Sequence, residues 1–270
     1  GSGNSILTKH IKVAFFSGVT YPVFTDATTA FYPDADTEST SVDGYVKRYN
    51  AETDWDTFHD HTTGTQVDDD IGLSDGGEDL GTIRTNVGSS GETKIGCARN
   101  FFLFDTSGID DADSVSAATL SIYMQGDGEN SSFGGSADLG GTAVADWTVV
   151  QTSPASNTAL VADDWNNCGD TDDPDEGTDT AFEPKADWGA NQYNDITLNS
   201  TGLGWIIVDG ITKLGARSQD DCTDDYFGSL KHANGVRYYG AEQSGTSNDP
   251  KLSVTHAVPS AFTPRAMTMF

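Results

Sequence analysis

Short apolar runs recur along the 270-residue chain, and stretches rich in Gly, Asp, Ser, Thr and Asn separate them. In the run ATLSIYM at 118–124, Leu120 and Ile122 alternate with their neighbours in the two-residue period of a half-buried strand. The β-branched and aromatic residues of these runs suit a pleated surface. The pattern predicts strands over 11–16, 44–49, 81–87, 98–104, 118–124, 146–152, 194–199, 211–217, 236–242 and 251–256.

The sequence offers only two short helical candidates, at 157–165 and 201–206. Many short strands separated by turn residues are typical of β-sandwiches. We therefore expect an all-β fold, a single jelly-roll-like β-sandwich with long acidic loops and extended terminal arms. The expected organisation is an N-terminal arm or strand over 1–30, a β-sandwich domain over 31–256 and a C-terminal arm over 257–270.

The charge of the chain is strongly acidic, with 42 Asp and Glu against 14 Lys and Arg and a net charge of −28. Such a chain repels phosphate backbones, so we expect no nucleic-acid partner. No apolar run approaches the length of a membrane span. The acidic segments at 67–79 and 170–179 could hold Ca²⁺, which prefers carboxylate and carbonyl oxygens, although neither matches the EF-hand template. A solvated acidic surface is the simpler alternative.

One ordered set of short motifs resembles a known family. In the stretch 101–124, Phe104 and Asp105 end an apolar run, and a Ser/Gly turn leads into a second run. The second run has the spacing V-x-x-A-x-L-x-x-Y, carried by Val115, Ala118, Leu120 and Tyr123. This order resembles DNRLRE-type domains, a family of extracellular, carbohydrate-binding-like β-sandwiches, in a variant common in phage and environmental surface proteins.

The resemblance extends over residues 31–256, because 31–46 and 248–256 are similar to the family's opening and closing strands. Leu103 stands where the family usually has Arg, which weakens any transfer of ligand-binding detail. The resemblance implies a sandwich fold and an exterior setting, and it does not imply catalysis.

Asp105 has two interpretations. As a strand-end acid or base it would need a partner carboxylate at a defined separation, which the sequence does not identify. As a turn residue it would accept a backbone N–H in the segment DTSG, and the sequence favours this structural role.

The segment HDH at 59–61 is the best metal-like motif. On a strand, His59 and His61 would point the same way and could share one ion. The carboxylates of Asp56, Asp68, Asp69 and Asp70 are the candidate additional ligands. The alternative is a polar loop without a metal.

The three cysteines divide into two kinds. Cys97 lies in an apolar run and is expected to be a buried thiol. Cys168 and Cys222 lie in Asp-rich segments and are candidates for one disulfide outside the cytosol, with free thiols as the alternative.

Two tryptophans, Trp165 and Trp188, flank acidic loops and are candidates for stacking on sugars. The alternative for each is a place in the core, where most tryptophans are partly or fully buried.

The two ends of the chain, 5–24 and 257–270, are apolar or aromatic with few acids. Such segments suit docking onto a neighbouring subunit, whereas the N-terminal one could instead pair within its own sandwich. The candidate assembly residues are Phe15, Phe16, Phe262, Met267, Met269 and Phe270.

The sequence as a whole predicts a non-enzymatic structural or surface protein of a multi-copy extracellular assembly, either a phage virion surface component or a cell-surface filament subunit. Its expected partners are copies of itself, other particle or filament proteins, and host-surface glycans. The alternatives are a carbohydrate-binding module and, more weakly, a polysaccharide-acting hydrolase or lyase.

Overall fold

The protein is described by a computed structural model over residues 26–50, 54–70, 78–87, 93–124, 146–178, 183–184, 189, 191–224 and 233–257. Two antiparallel sheets pack through a shared apolar core, so the predicted all-β sandwich is confirmed. The jelly-roll topology stays a prediction. The strand predicted at 11–16 and the candidate assembly residues of both arms lie outside the described residues.

Strands make up most of the described elements. They are β1 (Ala27–Phe31), β2 (Asp43–Asn50), β3 (Gln66–Asp68), β4 (Glu78–Val87), β5 (Thr93–Asp105), β6 (Ser114–Tyr123), β7 (Asp146–Gln151), β8 (Glu183–Pro184), β9 (Tyr193–Thr197), β10 (Ile211–Ser218), β11 (Ala233–Tyr238) and β12 (Lys251–Ala257). Nine of the ten predicted strand segments thus coincide or overlap with an observed strand.

The helices are short, between four and six residues. They are α1 (Trp55–His59), a 3-10 helix (Ala162–Asn167), α2 (Ser200–Leu203) and α3 (Gln219–Cys222). The 3-10 helix and α2 overlap the two helical candidates, whereas α1 and α3 were not expected from the sequence. Within the described ranges, no helix has the length and apolar character needed to cross a membrane.

The smaller sheet has the order β1-β12-β6-β9. The larger sheet has the order β11-β4-β5-β10-β7-β8, and β2 joins it by pairing with both β5 and β3. The thirteen-residue β5 pairs with β2, β4 and β10, so it lies at the centre of the larger sheet.

Strand β5 is buried on both faces. Phe102 and Phe104 pack into the core between the two sheets. Phe101 and Leu103 pack on the opposite face, in a second core that includes side chains of α1 and the 3-10 helix. A strand covered on both faces needs a continuous apolar run rather than alternation, which explains the segment FFLF.

The turn after β5 is pinned by its first residue. Asp105 Oδ1 accepts a hydrogen bond from the backbone N–H of Ser107 at 3.0 Å. This contact is the Asx-type interaction expected of Asp105. The turn delivers the chain from the larger sheet to β6 of the smaller sheet.

Candidate functional site

Two fully buried arginines lie on the outer face of the larger sheet, Arg99 on β5 and Arg217 on β10. The buried carboxylate of Asp221 on α3 pairs with both. Arg99 Nη2 lies 2.8 Å from Asp221 Oδ1, and Arg217 Nε lies 2.6 Å from Asp221 Oδ2. We call these three residues the ionic cluster, which carries one net positive charge under the apolar cover of the second core.

The ionisation of the cluster is self-consistent. Burial by itself raises the pKa of Asp221, but the guanidiniums of Arg217 and Arg99 outweigh it and hold that pKa well below its usual range. Arg99 donates to the Asp221 carboxylate through Nε and Nη2 and to the Trp165 carbonyl through Nη1. Arg217 donates to the carboxylate through Nε and to the Asp221 carbonyl through Nη2, so the buried donors have partners. The cluster therefore stays charged in the interior.

Arg217 also shapes the loop that follows the 3-10 helix. Its Nη1 donates to the carbonyl of Asp170 at 2.5 Å, and its Nη2 donates to the carbonyl of Thr171 at 2.9 Å. These two bonds fix the backbone immediately before Asp172. The ionic cluster thereby sets the position of an exposed carboxylate outside the core.

Trp165 belongs to the interior. Its side chain is fully buried, and the Arg99 guanidinium carbon lies 4.0 Å from the centroid of its ring. Arg99 Nη1 also donates to the Trp165 carbonyl at 2.9 Å. The prediction that Trp165 stacks on a sugar is wrong, because the ring is already covered by a cation. Trp188 lies outside the described residues.

The predicted arrangement of the HDH motif is also wrong. His59 is the last residue of α1, and His61 lies in the following loop, where its Nδ1 accepts from the Thr63 N–H at 3.3 Å. The helix forms because Asp54 caps its start and because Trp55, Phe58 and His59 share one buried face. The two imidazoles therefore do not share a strand face.

His59 nevertheless sits at a cluster of possible ligands. Its Nε2 lies 2.8 Å from the carbonyl oxygen of Asp221. Its Nδ1 lies 3.0 Å from an oxygen of Asp60, 3.6 Å from one of Asp172 and 3.5 Å from one of Asp224. One ligand atom each from His59, Asp172 and Asp224 lies within 4.8 Å of the others. We call His59, Asp60, Asp172 and Asp224 the histidine group.

The other predicted metal ligands lie elsewhere. Asp69 Oδ2 accepts the N–H of Leu160 at 2.7 Å, and Asp68 Oδ1 accepts the N–H of Asp70 at 3.2 Å. Of the predicted set, His59 alone takes part in the metal-competent group found among the described residues. Asp172 lies in the acidic loop expected to hold Ca²⁺, but neither Asp172 nor Asp224, two residues after α3, was predicted as a partner of His59. Nothing in their local sequence links them to His59 among the 42 acids.

A second set of carboxyl groups converges near the start of β2. Asp43 is 1% exposed, and its Oδ1 accepts the N–H of Ala241 at 3.3 Å. In the described part of the chain, no hydrogen-bond partner is present for Asp43 Oδ2, for either carboxyl oxygen of Glu242 or for Asp249 Oδ1. Burial and then repulsion from Glu242 raise the pKa of Asp43 well above its usual range. Burial likewise raises the pKa of Glu242 to about 8 and that of Asp249 to about 7.

These raised pKa values predict a fall in stability as the pH rises. The folded chain holds more protons than the unfolded chain between the ordinary carboxyl pKa and about 8, the value for Glu242. The stabilisation that comes from these bound protons is therefore complete at the acidic end of this window and is lost as the pH rises towards 8. With allowance for screening by solvent, we expect a loss of about 1–2 kcal/mol, measured by urea denaturation at pH 5 and pH 8.

Repulsion from the carboxyls of Glu38, Asp70 and Asp249 also raises the pKa of Glu242, and all of these carboxyls repel one another at high pH. The variant Glu242→Gln isolates the contribution of Glu242, because it removes that one titrating group. The variant should lose a clear part of the pH dependence while Glu38→Gln loses less. A pH dependence identical to that of the unmodified chain would contradict the assignment.

The cysteines are three free, buried thiols. The predicted disulfide between Cys168 and Cys222 is not formed, so that prediction is wrong, whereas the buried thiol expected at Cys97 is confirmed. The polar segments around Cys168 and Cys222 fold back onto the larger sheet and carry both thiols inside. Burial raises the pKa of each to about 12, so neither is a reactive thiolate at neutral pH.

Comparison with known proteins adds no identification: no family model matches the chain, and no curated protein matches it. The resemblance to DNRLRE-type domains therefore stays a prediction.

Proposed function

We propose that the chain is a non-enzymatic structural or surface component of a multi-copy extracellular assembly, a phage virion surface protein in the first place and a cell-surface filament subunit in the second. The observation that carries the proposal is the edge strand β1 of the smaller sheet, as far as the described residues define that edge. The DNRLRE-type pattern at 101–124 and the acidic composition support the same exterior setting.

Strand β1 forms this edge. Among the described residues it pairs with β12 alone. Its sequence, ATTAF, has no charged residue and no proline, and Ala27, Thr28 and Ala30 are exposed. Edge strands in natural proteins usually carry a lysine, a proline or a bulge that prevents pairing with another chain. An edge without these devices suits the addition of a strand.

The position of the chain ends fits the same interpretation. Ala27 pairs with His256, so the segments 1–25 and 258–270 both attach at one end of the β1–β12 pair. We propose that the segment 258–270 of a neighbouring copy supplies the added strand. Its apolar residues Phe262, Met267 and Phe270 would then be buried between copies rather than exposed.

The test is the oligomeric state of the purified chain, measured by light scattering at increasing concentration and by electron microscopy. We expect multimers that dissociate in Ala30→Lys, because the lysine places a charge on the exposed edge, and in a chain that ends at residue 257. The matched control, Ala112→Lys, adds the same charge at an exposed turn and should leave the multimers intact. A chain that stays monomeric at high concentration contradicts the proposal.

The carbohydrate-binding alternative loses one of its two predicted stacking residues, because Trp165 is buried. A groove of about 390 Å³ is lined in part by Trp205, Asp170 and Asp175, but Trp205 is only 8% exposed. The hydrolase alternative needs two carboxyls that reach a substrate. The carboxyls of Asp43 and Glu242 repel each other, but Asp43 is too buried to contact a sugar.

A further inference from the structure

We propose that the histidine group binds one first-row divalent transition-metal ion, with His59 Nδ1 and carboxylate oxygens of Asp172 and Asp224 as ligands and Asp60 beside them. The proposal is independent of the assembly role, because none of these residues lies on the β1 edge.

The first argument is the hydrogen bonding of the imidazole. His59 is fully buried, and its Nε2 faces the Asp221 carbonyl at 2.8 Å, which can only accept. The Nε2 therefore carries a proton, and in the neutral ring the lone pair is on Nδ1. That lone pair faces carboxylate oxygens of Asp60, Asp172 and Asp224 at 3.0–3.6 Å, which are acceptors as well. A bare lone pair among carboxylates is repulsive, so either a proton on Nδ1, which would donate to Asp60, or a cation lies between them.

The second argument is the local charge. The ionic cluster carries one positive charge, and the three carboxylates of the histidine group carry three negative charges, which leaves two negative charges. A proton on Nδ1 would neutralise one of the two, whereas a divalent cation would neutralise both. The chain as a whole carries a net charge of −28 and therefore attracts cations.

The third argument is the support around the ligands. A metal-bound histidine usually donates its second ring N–H to a carbonyl or carboxylate, as Nε2 of His59 does here. Trp55 Nε1 donates to Asp224 Oδ1 at 2.7 Å. The backbone before Asp172 is held by Arg217, and the N–H of Asp173 donates to the Cys222 carbonyl at 2.8 Å. All three ligands are thus positioned by other side chains or by backbone bonds.

The ligand set selects the class of ion. Ca²⁺ and Mg²⁺ prefer oxygen ligands alone. One imidazole nitrogen with two or three carboxylate oxygens suits Zn²⁺ or Mn²⁺. Such an ion would tie together α1, the 168–178 loop and the segment after α3, which are far apart in the sequence. Its role would then be structural: it would hold together these three segments, which lie over the second core.

The test is a calorimetric titration of the metal-stripped full chain with Zn²⁺, at physiological ionic strength and with excess Mg²⁺ to occupy diffuse acidic sites. We expect one ion per chain, and at least about tenfold weaker binding in Asp172→Asn and in Asp224→Asn. Both residues are exposed, so these variants should fold. Asp175→Asn is the matched control, because it removes the same charge from the same loop without touching the group.

A second readout follows the imidazole itself. Zn²⁺ should change the ¹⁵N resonance of His59 Nδ1 and leave that of His61 unchanged. The proposal is overturned by the absence of saturable binding, by equal affinity in Asp172→Asn and Asp175→Asn, or by a protonated Nδ1 that persists at saturating Zn²⁺. Full competition by Ca²⁺ for the same single site would also overturn it, since that outcome identifies an all-oxygen site.

Discussion

The substitution Asp221→Asn should lower the free energy of unfolding by about 3–5 kcal/mol, the usual result of removing one partner from a buried ion pair. The variant keeps the shape of the side chain but leaves Arg99 and Arg217 buried without a counter-charge. It also places an amide N–H₂ against guanidinium donors. Urea denaturation followed by far-ultraviolet circular dichroism measures the loss.

The control for this prediction is Asp111→Asn, which removes the same charge at an exposed turn and should change the stability by less than about 0.5 kcal/mol. The variant Asp221→Glu keeps the charge and should lie between the two. If Asp221→Asn is as stable as Asp111→Asn, the two arginines have found other partners and the ionic cluster is not the anchor described above.

The substitution Trp165→Ala should also destabilise the chain by about 3–5 kcal/mol, because it removes a large buried side chain. The ring fills the second core and contacts Phe58 edge to face, with centroids 6.3 Å apart. It also covers the Arg99 guanidinium, so the alanine variant leaves a cavity beside a buried charge. Thermal unfolding by calorimetry measures the effect.

Two companion variants separate the contributions. Trp165→Phe keeps an aromatic face over Arg99 and should recover part of the loss. Val161→Ala, one residue before the 3-10 helix, truncates a side chain that is 48% exposed and should have little effect. A stable Trp165→Ala with impaired glycan binding would be the opposite result and would restore the stacking role.

The fold was largely predictable because its strands carry their own signals. The alternation in β6 reflects one face on the inter-sheet core, and the unbroken apolar run of β5 reflects two buried faces. Helix α1 was missed because its five residues are too few to show a helical period. The N-capping Asp54 followed by buried residues at 55, 58 and 59 was the available signal.

The candidate site was predictable only in part, for a physical reason. The HDH motif points to His59, but its partners come from a loop and from the segment after α3, both far away in the sequence. Sequence spacing cannot choose two carboxylates out of 42. Arg99 and Arg217 are a further signal in the sequence, because each is a charged residue within a predicted strand. Such a residue is rarely buried unless it is paired, so each arginine points to a buried acidic partner.

The pairing of β1 with β12 has a consequence for how the chain is made. Thr28 and Thr255 face each other across 227 positions of sequence, so the smaller sheet closes only after nearly all of the described chain has left the ribosome. Until then, one edge of β6 has no strand partner, and Leu120 lacks Leu252, which faces it across the β6–β12 pair. A nascent chain in that condition is prone to associate with others, so chaperones that hold unfolded chains should raise the yield of native protein.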